Sequence, residues 1–223
     1  MESNALIERT TPDVTIYAQT PDAKMQISKR LMDVILAGSG VILLLPVFAV
    51  IYLCIKREDP RGSVFFSQER VGKNGQLFRM YKFRSMVSDA EKMREQLLHL
   101  NEVSGAMFKI KNDPRITRVG RWLRKTSLDE LPQLWNVIKG DMSLVGPRPP
   151  LPEEVKQYTP YDMQRLMAVP GCTGLWQVSG RNRVGFQEMV ELDLRYISEH
   201  SLVLDVSIMF RTVKVLFGSK DAF

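Results

Sequence analysis

The longest apolar stretch of the chain, residues 34–55, contains no charged residue and is interrupted by one proline, Pro46. As a single helix it would extend about 33 Å, enough to cross a hydrocarbon core of about 30 Å. Proline removes a backbone donor and clashes with the preceding turn, so a straight helix through Pro46 is not expected. The two halves, residues 34–45 and 47–55, are each too short to cross a bilayer alone.

Basic residues stand on both sides of this run: Lys24, Lys29 and Arg30 before it, and Lys56, Arg57, Arg61 and Arg70 after it. A membrane span is oriented by an asymmetry of lysine and arginine, which is almost absent here. Two basic ends are typical of a segment that enters the membrane, bends at Pro46 and returns to the same face. We therefore expect helices at residues 26–45 and 46–55, forming a re-entrant anchor over residues 27–57. A proline-kinked span remains the alternative.

The rest of the chain, residues 58–223, predicts a cytoplasmic domain that is mostly α with a small β-hairpin, and the motifs considered below make it the expected catalytic domain. The hairpin is expected within residues 63–86, where apolar positions lie on both sides of the turn signal Asn74-Gly75. Helical periodicity predicts an amphipathic helix at residues 88–103 and another helix at residues 186–199.

Two further stretches predict helices that pack on the domain or lie at a membrane interface. Residues 201–218 are strongly apolar but carry three charges, so a second span is less plausible than a packed or interfacial helix. In the other stretch every third residue is an arginine: Arg115, Arg118, Arg121 and Arg124. A helix there would place a basic flank beside an apolar one, facing a membrane, a phosphate or simply solvent. Residues 170–182 are rich in glycine and predict a loop.

Composition narrows the function without deciding it. The 31 lysines and arginines exceed the 25 acidic residues and give a net charge of +6, which suits an anionic membrane surface, phosphate-bearing ligands or nucleic acid. Two cysteines argue against a disulfide framework or a cysteine metal site.

Residues 1–26 are polar and lack periodicity, so they predict a mobile tail. The apolar run is too long for the core of a signal peptide.

The candidate chemistry centres on residues 127–130, which read Ser-Leu-Asp-Glu. Ser127 and Glu130 have the spacing of a capping box, but Pro132 would then break the helix at its fifth position. If Asp129 is the N-cap instead, Pro132 falls in the first turn, where no donor is needed. The helix dipole would then favour the ionised form of Asp129, as expected for a nucleophile or a metal ligand.

Attack on a phosphate requires its negative charge to be neutralised, typically by magnesium and arginines. Arg124 lies five residues before Asp129, and Arg148 stands between Pro147 and Pro149, which stiffen the backbone that carries it. A rigid turn without function is the alternative for this second motif.

Four motifs in order resemble the bacterial sugar transferase family, the monotopic phosphoglycosyl transferases: KFRSM (82–86), RKTSLDELPQLWNV (124–137), KGDMSLVGPRP (139–149) and GLWQVSGRN (174–182). The resemblance extends over residues 29–217. It implies transfer of a sugar 1-phosphate from a UDP-sugar to undecaprenyl phosphate, which gives UMP and the undecaprenyl diphosphate-sugar. By the same resemblance Asp129 forms a covalent phosphosugar intermediate, and Glu130 helps to hold Mg²⁺. The implied substrate-binding residues are Lys82, Arg84, Arg124, Pro147, Arg148, Pro149 and Arg181.

The resemblance also implies a place and partners. We expect the enzyme at the cytoplasmic face of a bacterial inner membrane, at the first membrane step of exopolysaccharide, capsule or glycoconjugate synthesis. Its expected partners are the UDP-sugar, undecaprenyl phosphate and membrane lipid, with no nucleic acid; a homodimer is compatible with the sequence.

Asp141 matches a family position whose role the sequence does not reveal. Many members place serine before the bending proline, whereas this chain has Leu45. Larger relatives carry several spans before the catalytic part, to which this chain is expected to correspond.

Two other functions remain open at this stage: a membrane-tethered nucleotide-binding scaffold without turnover, and a glycosyl transferase that passes the sugar without its phosphate. The transferred sugar is not specified by the sequence.

Overall fold

The computed structural model describes residues 23–94, 96–97, 110, 113–180 and 184–218. Within these residues the chain is mostly helical and contains two small β-sheets. The predicted fold class, mostly α with a small β-hairpin, is confirmed at this level. Most of the predicted tail, and Arg181 among the predicted site residues, lie outside the described residues.

The apolar run forms part of one helix, α1, at Ala23–Glu58, which continues through Pro46. The expected division into two helices was therefore wrong, and residues 23–26 are helical rather than part of a tail. Proline's fixed φ is compatible with helical geometry, and the cost at Pro46 is one lost hydrogen bond together with crowding of its ring against the preceding turn. Packing offsets that cost, because Val47 and Phe48 directly after it join a buried cluster. Among the described residues α1 alone is long and apolar enough to cross a membrane. Its re-entrant course stays a prediction.

The predicted β-hairpin is confirmed. Strands β1 (Phe65–Val71) and β2 (Leu77–Phe83) pair antiparallel, with Phe65 opposite Phe83. Asn74 and Gly75 in the turn have φ values of 55° and 81°. Asparagine and glycine tolerate this left-handed conformation best, which explains why the dipeptide was a reliable turn signal.

A second sheet was not predicted. Strands β3 (Ser143–Val145) and β4 (Gly171–Thr173) pair in parallel. The predicted loop at residues 170–182 thus begins with a strand, and it continues into a short helix. Strands of three residues are too short to display alternation, so the pairing is decided by the fold.

The remaining helices are α2 (Ala90–Arg94), α3 (Arg118–Lys125), α4 (Gln133–Lys139), α5 (Pro152–Val155), α6 (Pro160–Met163), α7 (Leu175–Ser179), α8 (Phe186–Ser198) and α9 (Leu202–Gly218). Helices α8 and α9 confirm two predictions. Of the helix predicted at residues 88–103, the described part contains α2 and a short 3₁₀ segment.

The predicted basic helix is shorter than its arginine pattern suggested. Helix α3 begins after Thr117, whose Oγ1 accepts a hydrogen bond from the Gly120 amide at 2.9 Å. Arg115 precedes the helix and is buried in an ion pair with Asp113 at 2.6 Å. The periodic face therefore loses its first arginine. Whether α3 and α9 lie at a membrane interface stays a prediction.

Both ends of α1 are fixed to the folded domain. Near its start, Lys29 donates to Asp205 of α9 at 2.7 Å and to the Val145 carbonyl at 3.0 Å. At its end, the Glu58 carboxylate accepts the amides of Arg118 and Val119, the first residues of α3, at 2.9 and 3.0 Å. The helix is thus attached to the domain near both of its ends.

Candidate active site

Asp129 and Glu130, here called the dyad, lie on a 3₁₀ turn at Leu128–Glu130 between α3 and α4. Ser127 precedes the turn in the left-handed conformation, with φ 56°, and its side chain caps nothing. Helix α4 begins only after Pro132. Both sequence-based alternatives, the Ser127 capping box and Asp129 as N-cap, were therefore wrong. Each assumed one helix starting near residue 128, whereas the chain makes a separate turn first.

Asp129 is buried, with 7% of its surface exposed. Burial raises the pKa of Asp129; the Lys82 charge lowers that pKa, the Glu130 charge raises it and the Arg124 charge lowers it, and the balance is upward. The sequence-based expectation that a helix dipole favours ionisation was wrong in direction, since desolvation dominates. A buried carboxylate next to cations is a common feature of functional sites.

Lys82 connects the hairpin to the dyad. It lies near the end of β2, and its Nζ is 2.6 Å from Glu130 Oε1. Glu130 is the more accessible carboxylate, with 44% of its side chain exposed. The structure thus brings together Lys82, Asp129 and Glu130, as predicted.

Arg124 approaches the dyad from the last turn of α3. Its Nε donates to Ser85 Oγ at 2.9 Å. Burial lowers the pKa of Arg124, and the nearby Asp129 charge opposes that effect. Helix α3 can lie this close because Gly120 has no side chain: a Cβ there would be 1.9 Å from the Ser85 carbonyl oxygen. The Arg124 position therefore depends on Gly120.

Asn136 connects α4 to β2 near the dyad, and sequence reasoning did not single it out. It is fully buried in α4, and its Oδ1 accepts from the Tyr81 amide at 3.0 Å while its Nδ2 donates to the Arg79 carbonyl at 2.7 Å. Nδ2 also donates to Asp141 Oδ2 at 3.0 Å, and Lys139 donates to the same oxygen at 2.8 Å. Asp141 thus orients the amide that holds β2, and with it Lys82, against α4. The signal available in the sequence was an asparagine at an inward-facing helix position.

Arg148 is held by Glu154. Its Nη1 and Nη2 donate to the two Glu154 carboxylate oxygens at 2.9 and 3.3 Å, a bidentate pair. Burial raises the pKa of Glu154, but the Arg148 charge and hydrogen bond lower it, and the balance is downward. About a quarter of the Arg148 side chain remains exposed. Pro147 and Pro149 are buried on either side, so Arg148 is the accessible residue of the motif.

Residues 24–219 match the family described as "Bacterial sugar transferase". The chain belongs to the bacterial sugar transferase family. It is 49% identical over 191 residues to "Galactosyl transferase CpsE" of Streptococcus agalactiae serotype III, covering 85% of this chain and 42% of that protein. It is 46% identical over 199 residues to "Undecaprenyl-phosphate galactose phosphotransferase" of Salmonella typhimurium, covering 87% of this chain and 41% of that protein. It is 42% identical over 200 residues to "Exopolysaccharide production protein ExoY" of Rhizobium meliloti, covering 88% of each.

The chain therefore spans about two fifths of the first two relatives and most of the third.

In this member of the bacterial sugar transferase family, the contacts of the predicted site residue Arg84 are with residues outside the dyad. It pairs with Asp59, directly after α1, at 3.1 Å and donates to Ser88 Oγ, after β2, at 3.2 Å. A role for Arg84 in substrate binding stays a prediction, as does that of Arg181.

The dyad has the donor chemistry that Mg²⁺ requires. Among the described residues, no group of three or more His, Cys, Asp or Glu side chains could hold a metal ion on its own. Mg²⁺ is commonly bound by one or two carboxylates together with water and substrate phosphates, so two adjacent carboxylates are sufficient. The residues present fit the metal.

Proposed function

We propose that this chain is a phosphoglycosyl transferase that moves a sugar 1-phosphate from a UDP-sugar to undecaprenyl phosphate. The products would be UMP and undecaprenyl diphosphate-sugar, the lipid-linked start of an exopolysaccharide, capsule or glycoconjugate. The relatives named as a galactosyl transferase and an undecaprenyl-phosphate galactose phosphotransferase support the substrate classes.

One observation carries the proposal: Asp129 is buried next to Lys82, Arg124 and Glu130, and Lys82 is bonded to Glu130. A structural carboxylate in a protein interior is normally neutralised by a direct ion pair. Here the direct partner of Lys82 is Glu130, which leaves Asp129 close to positive charge and able to react. A binding scaffold has no need for such a carboxylate.

In the first step Asp129 Oδ attacks the phosphorus that bears the sugar, and the bond to the UMP oxygen breaks. The product is an acyl phosphate on Asp129 that carries the sugar. In the second step an oxygen of undecaprenyl phosphate attacks the same phosphorus and the Asp129 carboxylate leaves. Arg148, Arg124 and Lys82 would neutralise phosphate charge as it shifts between oxygens.

Glu130, with Asp129 before its attack, would hold Mg²⁺. The ion would supply neutralisation of the diphosphate and of the departing UMP. Lys82 would then keep Glu130 oriented and exchange part of its ion pair for contact with phosphate.

We also propose that α1 is a re-entrant anchor on the cytoplasmic face. Lys29 near its start and Glu58 at its end both contact the folded domain, so a bilayer between these two residues is hard to accommodate. The side chains facing away from the domain are apolar and exposed, with Ile42 at 69% and Leu43 at 77% just before Pro46. Trp122 and Trp135 are also exposed, and tryptophan is enriched at membrane–water interfaces. Such an anchor would hold Asp129 near a lipid phosphate.

The decisive experiment incubates the purified protein with Mg²⁺, undecaprenyl phosphate and a panel of UDP-sugars headed by UDP-galactose. We expect UMP release and a lipid that retains the sugar's phosphate. Release of UDP would instead establish a glycosyl transferase, and binding without turnover across the panel would establish a scaffold. For the anchor, single cysteines placed in residues 1–20 should react only with reagents added on the cytoplasmic side.

A further inference from the structure

The four consecutive carbonyls of residues 147–150, here called the proline loop, each accept a hydrogen bond from a different donor. The donors are the Gly171 amide to Pro147 O at 2.9 Å, Arg165 Nη2 to Arg148 O at 3.2 Å, Arg70 Nη1 to Pro149 O at 3.1 Å and the Val71 amide to Pro150 O at 3.0 Å. They come from β4, from a 3₁₀ turn at Gln164–Met167 and from β1. Three separate parts of the fold thus hold one short loop.

Composition explains why the loop is held through acceptors. Proline has no backbone N–H, and three of the four residues are proline. The loop therefore cannot join a strand or a helix through its own donors, and buried carbonyls must find donors elsewhere. Two of the four donors are arginine side chains rather than backbone amides, so they can be altered by substitution without changing the chain's course.

Arg70 is the donor whose charge interacts with both Arg148 and Glu130 of the candidate site. It is 8% exposed, and its Nη2 donates to Gln68 Oε1 at 2.8 Å. Burial and the neighbouring Arg148 charge lower the pKa of Arg70 to about 10, while Glu154 and Glu130 oppose the effect. Burying a guanidinium is costly unless opposite charges and hydrogen bonds offset its desolvation. Here its protein contact across the fold is the carbonyl next to Arg148.

Arg165 donates to the carbonyl of Arg148 and is also part of a buried ion pair that stabilises the fold. It is buried in an ion pair with Asp193 of α8, and its Nη1 donates to the Tyr158 hydroxyl at 2.8 Å. Removing Arg165 would leave Asp193 as a buried unpaired charge and threaten the fold. Arg70 is therefore the position at which the loop's anchoring can be tested with less damage.

We propose that Arg70 is a positioning residue that fixes the backbone next to Arg148, so that the Arg148 guanidinium can contact the phosphate of the UDP-sugar. Glu154 orients the guanidinium from the side, and Arg70 holds the carbonyl of Pro149, the residue that directly follows Arg148. This inference rests on the proposed function, in which Arg148 contacts phosphate. Small losses of alignment at such a group cost large factors in rate.

A double-mutant cycle tests the proposal with UDP-sugar turnover as its readout. Arg70→Met should lower kcat/KM for the UDP-sugar by about 10-fold or more, and in an Arg148→Ala background it should have almost no further effect, because residues acting through one group are not additive. Arg79→Met is the matched control, since it removes an exposed arginine from β2 of the same hairpin. Arg70→Lys, which can still donate to Pro149 O, should recover part of the loss.

Two outcomes would overturn the inference: losses in kcat/KM that add independently in the double variant, or a loss in Arg70→Met no larger than that in Arg79→Met. In either case, turnover by the wild-type protein would leave the proposed function standing. Hydrogen exchange provides a readout that needs no substrate. Peptides covering residues 146–156 should exchange faster in Arg70→Met than in Arg79→Met. Unchanged exchange there would refute the anchoring role even if the wild-type protein showed no turnover and the proposed function failed.

Discussion

Lys82 Nζ and Glu130 Oε1 lie 2.6 Å apart and join the β-hairpin to the turn that carries Asp129. The two residues are 48 positions apart in the chain, so the pair is created by the fold. It keeps one carboxylate of the dyad neutralised and leaves the buried one, Asp129, without that partner. This division of roles is the basis of the predictions on catalysis.

Asp129→Asn should abolish turnover, since an amide cannot form the acyl phosphate. Mass spectrometry of the intact protein after incubation with the UDP-sugar alone should show a phosphosugar adduct on the wild type and none on the variant. Asp89→Asn, which changes an exposed aspartate, should behave like the wild type. Residual activity of Asp129→Asn near the wild-type level would remove Asp129 from the role of nucleophile.

Arg148→Ala should lower kcat/KM for the UDP-sugar by about 100-fold, because loss of one positioned cation that stabilises phosphate charge in the transition state costs roughly 3 kcal/mol. The comparison variant is Arg195→Ala, which breaks an exposed Arg–Glu pair with Glu199 on α8. Steady-state kinetics with varied UDP-sugar would measure both. Equal kcat/KM values for the two variants would mean that the 146–149 motif is only a rigid turn.

Asn136→Ala should destabilise the domain by about 1–3 kcal/mol, because the Tyr81 amide and the Arg79 carbonyl would lose their buried partner. Activity should fall as well, since β2 carries Lys82. Lys139→Met removes only the exposed partner of Asp141 and should cost less than about 1 kcal/mol. Thermal unfolding of the detergent-solubilised protein would compare them, and identical melting temperatures would refute the role given to Asn136.

Gly120→Ala should be strongly destabilising, because its Cβ would lie 1.9 Å from the Ser85 carbonyl oxygen and push α3 away. The Arg124 contact with Ser85 would be lost, so turnover should decrease beyond the loss of folded protein. Gly185→Ala is the control, since nothing lies within 4 Å of the added carbon. A fully active and stable Gly120→Ala protein would show that α3 tolerates displacement.

Asp205→Asn should lower the melting temperature by roughly 5–10 °C near pH 7, equivalent to about 2–3 kcal/mol, because it breaks the buried pair with Lys29. Burial raises the pKa of Asp205, but bonds from His200, Lys29 and Tyr196 lower it, and the balance is downward. A carboxyl whose pKa is lower in the folded state stabilises the fold above its unfolded pKa of about 3.9. That stabilisation is lost as the pH falls through the folded value.

The difference between wild type and Asp205→Asn should therefore be full above about pH 5 and shrink below about pH 4. Melting temperatures of both proteins across this range would measure it, and the difference cancels the effects of other groups. Asp89→Asn again serves as the exposed control. A difference that stays constant through pH 4 would show that Asp205 acts through shape alone.

Local chemistry was readable from the sequence. The apolar run predicted helical structure, although divided at Pro46. Asn74-Gly75 predicted the hairpin, and four ordered motifs indicated the family and the candidate residues. These features depend on neighbouring residues, whose periodicity and turn preferences are encoded locally. The same local rules failed at Pro46 and at Asp129, where packing and burial outweighed them.

Only the tertiary structure decided which residues act together. The Lys82–Glu130 pair, the Asn136 amide that holds β2 and the Arg70 donor to the proline loop all join parts of the chain far apart in sequence. Burial also reversed the expected effect on the pKa of Asp129, since desolvation depends on the whole surrounding fold. The sequence by itself thus determined the hairpin, the helical character of several segments and the candidate reacting groups. The packing of distant segments determined the second sheet, and the positions and charges of the candidate groups.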